Sequence, residues 1–250
     1  MRILSWNLNH RAARRPIPAW IADAIAAQAP DVLALNEYVD ARDKAARRAD
    51  HERFLDALDA MGLTHRQVTT RVGRSNQVLV AAREPIEAGG LAAPDDIAES
   101  LPPNFLHVRL AETGMDLVAF RMPAYEYRSR HKKRLSWDWL IDALAAVRHR
   151  PAVLIGDMNT EPGDSEQYCG DSLEKMAATG WRLAVPSRGY SWRLREGSPE
   201  RRIDLAFHTP ELRCERVAYS WDFHALDERA AKPPVGLPDH AMLVVDVVPT

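Results

Sequence analysis

The chain has 250 residues, 46% of them hydrophobic, with 33 Lys and Arg against 35 Asp and Glu for a formal net charge of −2. That balance excludes a polybasic protein that holds nucleic acid by its global field, though not a local basic patch, and the apolar content excludes an extended disordered chain. No apolar run approaches the roughly 20 residues of a membrane span, and the first residues carry no secretory apolar segment. Cys169 and Cys214 lie far apart and match no metal-binding spacing. Both are expected to be reduced thiols, which points to a cytoplasmic protein.

Arg2 to Leu8 reads as a strand, and Ile17, Trp20, Ile21, Ala24, Ile25 and Gln28 give the helical spacing of a segment from Pro16 to Gln28, closed by Pro30. Asp31 to Leu35 is a continuous apolar run of the kind buried on both sheet faces. A strand, a helix and a strand in succession open an α/β layer protein. Residues 41–62 form a charged segment running into a helix through Phe54, Leu55, Leu58 and Met61, with Gly62 as its stop. Gln77 to Ala82, Phe105 to Leu110 and Asp116 to Arg121 are strands, the last two joined across Glu112-Thr113-Gly114 as a hairpin. Between the first two of these, residues 84–101 read as an acidic loop. Leu135 to Val147 is an amphipathic helix, and Ala152 to Ile155, Arg202 to Phe207, Cys214 to Ser220 and Met242 to Val248 complete the strands. No internal sequence repeat and no Pro-, Gly- or Ser-rich linker divides the chain, so residues 1–250 are expected to form one domain.

The apolar strands end in polar residues. The first carries Trp6-Asn7-Leu8-Asn9, the second ends in Asn36-Glu37, and a third ends in Gly156-Asp157-Met158-Asn159-Thr160. A fourth begins Arg202-Ile203-Asp204, and the last follows Pro238-Asp239-His240. Polar groups at strand ends of an α/β protein converge on a shared cleft. Four carboxylates there would repel one another without a cation, and oxygen donors suit Mg²⁺. Each residue taken alone has a plainer reading, as a turn former, a helix cap or a structural histidine.

Taken together, the five segments resemble the endonuclease/exonuclease/phosphatase superfamily, in the right order and over almost the whole chain. Trp6-Asn7 resembles the N-terminal strand motif, Asn36-Glu37 the metal-binding Gln-Glu, and Gly156-Asp157-Met158-Asn159 the Gly-Asp-x-Asn. Arg202-Ile203-Asp204 resembles the Arg-Ile-Asp strand, and Pro238-Asp239-His240 the terminal Ser-Asp-His. The resemblance implies a four-layer α/β sandwich, two mixed sheets packed face to face with helices outside. It also implies a Mg²⁺- or Mn²⁺-dependent phosphodiester hydrolase. Glu37 would bind the cation with Asn7 and Asp239 beside it. Asp157 would orient and deprotonate the attacking water, Asn159 would hold a phosphate oxygen, and His240, oriented by Asp204, would contact the scissile phosphate. In-line attack on a phosphodiester needs those parts: a water activator, a cation and donors aimed at developing negative charge.

Three positions depart from that pattern. Pro238 stands where the family has Ser, Arg201 where it has Trp before Arg-Ile-Asp, and Arg121 where it places His or Tyr after the strand. Arginine can neutralise a phosphate but cannot deliver a proton at neutral pH. Residues 121–134 hold six Lys and Arg and one Glu, interleaved with Tyr125 and Tyr127. The stretch Glu126-Tyr127-Arg128-Ser129-Arg130 resembles the Glu-Tyr-Arg-x-Arg of exonuclease III-type members. Arg121, Tyr125, Arg128 and Arg130 are therefore expected to bind a nucleic-acid substrate, DNA or RNA, with Trp192 stacking on a base. The alternatives are a phosphatase or phosphodiesterase acting on a small molecule or lipid headgroup, and an impaired binding protein of the same fold.

Overall fold

The computed structural model describes the chain except residues 10–16, 41–44, 74, 99–100, 125–129, 194–197 and 224–237, and it describes the side chains of neither 45–47 nor 130. The first sheet contains β1 (Arg2–Asn7), β2 (Val32–Tyr38), β3 (His65–Val68), β4 (Gln77–Ala82), β11 (Leu212–Ser220) and β12 (Met242–Pro249), in the order β11-β12-β1-β2-β4-β3. The second contains β5 (Ile86–Ala88), β6 (Phe105–Leu110), β7 (Asp116–Arg121), β8 (Ala152–Asp157), β9 (Arg182–Ala184) and β10 (Asp204–His208), in the order β5-β6-β7-β8-β10-β9. The helices are α1 (Ala19–Gln28), α2 (Ala45–Ala60), α3 (Arg130–Leu144) and α4 (Asp171–Ala178).

Strand alternation divides the apolar residues into three cores. Ile3, Val32, Ala34, Val78 and Val80 of the first sheet pack against Val108, Leu117, Ala119, Val153 and Ile155 of the second. The opposite face of the first sheet, through Leu4, Trp6, Leu33, Leu35 and Leu79, meets Ile21 and Ile25 of α1 and Phe54 and Leu58 of α2. The outer face of the second sheet, through Val118, Phe120, Leu154 and Phe207, meets Trp137 and Leu140 of α3 and Leu173 and Met176 of α4. The layers are thus helix, sheet, sheet, helix, as the resemblance implied.

The two sheets repeat one topology. The second runs β5-β6-β7-α3-β8-α4-β9-β10; the first runs β1-α1-β2-α2-β3-β4, with β11 and β12 supplied from the far end of the chain in the places of β5 and β6. Each is centred on one parallel pair joined by a helix, β1 with β2 and β7 with β8. What repeats is the pattern of burial and crossover, which dissimilar sequences satisfy equally well.

Several elements differ from their sequence-based boundaries. Helix α1 starts at Ala19, because Pro18 occupies its N-cap in extended backbone, and it stops at the left-handed Ala29 before Pro30. Helix α3 begins at Arg130, five residues before the expected start, which places Lys132, Lys133 and Arg134 on a helix. Strands β3, β5 and β9 and helix α4 were not expected. The three strands are edge strands of three or four residues with little full burial, too short to show a period. β5 takes its three residues from the expected acidic loop.

This topology concentrates polar groups at one end of the molecule. The parallel pairs bring the C-terminal ends of β1, β2, β7 and β8 together, and the antiparallel neighbours β4, β10 and β12 contribute their starts. The registers Asn7 with Asn36, Arg121 with Asp157, and Asp204 with Asp157 record that convergence. Gly156 makes the β7–β8 approach possible. Its φ is +145°, and a Cβ there would lie 1.9 Å from the Phe120 carbonyl oxygen. Neither the backbone conformation nor the space admits a side chain. Gly156→Ala is expected to lower unfolding free energy by about 3 kcal/mol or more, measured by denaturant titration; a loss near zero would show that the strands can separate there at no cost.

Candidate active site

The strand ends line a cleft of about 590 Å³ that includes Glu37, Arg121, Asp157, Asn159, Trp192, Asp239 and His240. Asn7 and Asp204 lie buried beneath it. Every residue expected from the five segments therefore meets at one place. Tyr125 and Arg128 lie outside the described residues, as does the side chain of Arg130.

Asn7 ties the two sheets together at the cleft floor. Its Nδ2 donates to Asp157 Oδ2 of the second sheet at 3.0 Å and faces Glu37 Oε1 of its own sheet at 3.4 Å. Glu37 reaches the cleft through an irregularity in the β2–β4 pairing between Leu35 and Tyr38, and its own φ is +52°. A bulge of this kind turns a side chain out of the strand's alternation. Asn36, one residue earlier, is fully buried against Gly156 instead. Glu37 Oε2 accepts from Asn76 Nδ2 at 3.0 Å, and Oε1 lies 2.7 Å from Arg121 Nη2.

Asp157 is almost fully buried. Its Oδ1 accepts from the backbone N–H of Asn159 at 3.0 Å, and its Oδ2 accepts from Asn159 Nδ2 at 3.2 Å. Burial pushes its carboxyl pKa up, against the opposing pull of His240 and Arg121. A raised pKa makes the carboxylate a better proton acceptor. Asn159 Nδ2 also donates to the Met122 carbonyl at 2.8 Å. Both amide hydrogens are thus engaged, and Asn159 in this state positions Asp157; donating to a phosphate oxygen would require it to give up one of these bonds.

His240 and Asp204 form a buried pair, with Nδ1 donating to Asp204 Oδ2 at 2.7 Å. Burial opposes charge on the ring, yet the Asp204 carboxylate, aided by Asp157 and Asp239, raises the imidazole to about 10. Asp157, Asp204 and His240 offer ligand atoms all within 4.8 Å of one another, but a metal needs a neutral imidazole. The raised imidazole pKa and the short bond to Asp204 favour proton chemistry at this trio, and the same three groups could hold a cation only with the ring neutral. Ser191 Oγ accepts from the N–H groups of Ile203 and Asp204, both at 3.0 Å, and Trp6 Nε1 donates to the His240 carbonyl at 2.9 Å. These bonds hold the pair from behind.

The side chains expected to hold a cation offer hard oxygens: Glu37, the Asn7 carboxamide and Asp239, whose Oδ2 also accepts from Trp192 Nε1 at 3.2 Å. Around the floor, the carboxylates Glu37, Asp157, Asp204 and Asp239 face two cationic side chains, Arg121 and His240. That excess of negative charge and the oxygen chemistry both fit a divalent cation of the Mg²⁺ type.

Sequence reasoning missed Asn76, Tyr168 and the true place of Lys133. Asn76 stands immediately before β4, at the strand-end position that marked the others. Lys133 is fully buried, with Nζ donating to the Asn159 carbonyl and, at 3.0 Å, to that of Tyr168. Burial lowers its pKa to about 8. The spacing of Lys133, Trp137, Leu140 and Leu144 puts it on the buried helix face, a signal visible in the sequence. Arg134 pairs with Asp171 at 2.7 Å, and Arg201 with Glu161 at 2.8 Å and Asp164 at 2.7 Å. Within the basic stretch 121–134, Lys133 thus anchors a site loop and Arg134 a helix pair, and neither of these two is free for phosphate.

The model of the endonuclease/exonuclease/phosphatase family matches residues 4–233. Among solved structures, an AP endonuclease from Archaeoglobus fulgidus is 19% identical, with 98% of each chain covered and a TM-score of 0.70. A 3′ phosphatase from Neisseria bound to product DNA hairpin is 18% identical, with 98% of each chain covered and a TM-score of 0.68. An endonuclease/exonuclease/phosphatase from Beutenbergia cavernae is 20% identical, with a TM-score of 0.66 over 100% of this chain and 71% of that one. At these identities the solved structures show the shared fold. None of the curated proteins matches the chain in sequence.

The geometry sets the pH response of His240. Its folded pKa of about 10 lies above the reference 6.5. The imidazolium's contribution to stability is thus fully present below pH 6.5 and is lost as pH rises through about 10. Ring ¹⁵N shifts should show His240 doubly protonated at about pH 8, and Asp204→Asn should return its titration toward 6.5. A wild-type ring that is neutral at that pH would contradict the assignment.

Proposed function

Because the chain belongs to the endonuclease/exonuclease/phosphatase family, we propose that it is a divalent-metal-dependent phosphodiester hydrolase acting on DNA or RNA. The observation that carries the reading is the convergence, from the ends of both sheets, of a buried carboxylate, a histidine–carboxylate pair and oxygen donors in one cleft. Glu37, Asn7 and Asp239 would hold Mg²⁺ or Mn²⁺, which when bound supplies positive charge against the phosphate oxygens. Asp157, held by Asn7 and Asn159, orients the attacking water and accepts its proton, aided by a raised pKa. His240, charged through Asp204, places a fixed N–H donor and positive charge at the phosphoryl oxygen where negative charge grows. Trp192 offers an aromatic face for a base, while its indole N–H steadies Asp239. Two unpaired cysteines, Cys169 and Cys214, suit a reducing compartment such as the cytoplasm.

A second reading has a specific observation behind it. Among the described residues, Lys133, Arg134 and Arg201 are all committed to partners within the chain, so none of these three is free to follow a long polyanion. A phosphatase or phosphodiesterase on a small molecule or lipid headgroup would use the same acid–base groups.

Asp157→Asn and His240→Gln are expected to lower kcat by about 10²- to 10⁴-fold with little change in KM, since both act mainly in the transition state. The assay pairs single-stranded DNA, duplex DNA, RNA and an inositol phosphate with Mg²⁺ or with excess chelator. Undiminished turnover in chelator would remove metal dependence from the reading. Turnover confined to the inositol phosphate would select the second one.

A further inference from the structure

We propose that Arg121 is a resident counter-cation of Glu37 that a divalent cation must displace, so that the same guanidinium is delivered to the substrate phosphate only once the metal site fills. The inference rests on the metal-dependent reading above and deepens it.

The contacts of the two residues lead to it. Arg121 ends β7 in register with Asp157, and its Nη2 lies 2.7 Å from Glu37 Oε1. Its Nε is buried, has no hydrogen-bond partner, and stands 3.8 Å from Asp157 Oδ2. The guanidinium therefore bridges the expected metal ligand of one sheet and the expected water activator of the other. Glu37 has little freedom to leave. Its backbone is fixed in the left-handed region, Asn76 holds Oε2 at 3.0 Å, and Asn7 flanks Oε1 at 3.4 Å. Arg121 can leave: its long side chain is 23% exposed and opens on the cleft.

A carboxylate already satisfied by a guanidinium and two amides is a weakened cation ligand, because coordination must break the ion pair. Once displaced, the guanidinium has a bidentate anion site to find, and a phosphate in the cleft provides one. By linkage, a phosphate ligand that draws Arg121 away strengthens cation binding by the same factor as the cation strengthens phosphate binding. A His or Tyr at this position, neutral and shorter, could not play both parts.

The test is calorimetric titration of Mg²⁺ into the whole protein without substrate, for wild type, Arg121→Gln and Arg201→Gln. Arg201 also lines the cleft but pairs with Glu161 and Asp164, so it controls for simple loss of a nearby positive charge. Arg121→Gln is expected to bind Mg²⁺ about tenfold more tightly, with Arg201→Gln close to wild type. A second readout uses wild type alone: the Arg121 side-chain ¹⁵Nε–¹H resonance should move as Mg²⁺ saturates the site, which keeps the proposal open to refutation should a variant not fold. Equal or weaker affinity in Arg121→Gln, equal tightening in Arg201→Gln, or an unmoved Arg121 resonance at saturation would overturn the inference and leave the metal-dependent reading standing. No saturable Mg²⁺ binding in any of the three would also overturn it. Hydrolysis persisting in excess chelator would then show that the metal-dependent reading had failed as well.

Discussion

Negative charge held at the junction of two sheets is the constraint on which the rest of this structure depends. Glu37, Asp157, Asp204 and Asp239 stand at strand ends around one cleft, two of them almost wholly buried. Carboxylates so placed would drive the sheets apart unless each found a partner. Asn7 supplies the link, donating from the first sheet to Asp157 of the second. Arg121 neutralises Glu37, and the proton on His240 neutralises Asp204. The local backbone shows what this arrangement costs. Of the five described non-glycine residues with positive φ, three line the cleft: Asn9, Glu37 and Asn159. Left-handed backbone at such residues persists only where the surrounding structure over-determines it.

That over-determination comes from beneath the cleft. The loop carrying Asn159 is tied to α3 by Lys133, and Trp137 on the same helix face donates to Thr160 Oγ1 at 3.2 Å. Ser191 closes the start of β10 behind Asp204, and the Arg201–Glu161–Asp164 group fastens the loop after β8 to the segment before β10. A site built on strand ends and braced by buried hydrogen bonds holds Asp157, Asn159 and Asp204 in a fixed geometry, the condition for electrostatic stabilisation without their reorganisation.

The parts of this design that were legible in the sequence share one property: each is a polar residue interrupting a buried apolar strand, where local chemistry and tertiary place coincide. Asn7, Glu37, Asp157, Asp204 and His240 all stood out for that reason. Asn76 obeys the same rule at the start of β4, as His240 does before β12, but its tie to Glu37 depends on β4 running antiparallel to β2, which no local pattern encodes. The short edge strands β3, β5 and β9 form because a neighbouring strand offers hydrogen bonds, with a hydrophobic period too brief to read. The place of Lys133 follows from its helical phase rather than from its charge. The phase put it on the same face as Trp137 and Leu140, where two backbone carbonyls receive its amine.

Arg121 shows how a single departure from a family pattern changes the energetics of a whole site. With a neutral side chain at that position, Glu37 and Asp157 would face one another across the sheet junction, joined only through the Asn7 amide, and the site would be compensated only when a cation was bound. The guanidinium compensates both carboxylates beforehand, one at 2.7 Å and the other at 3.8 Å. Attraction at these separations in a partly buried cleft opposes the loss of side-chain freedom and of hydration. The same attraction makes Glu37 less available to any other cation. On the proposed metal-dependent reading, stability of the cleft and readiness to take up a cation would oppose each other through this one ion pair, and a phosphate competing for Arg121 would set the balance.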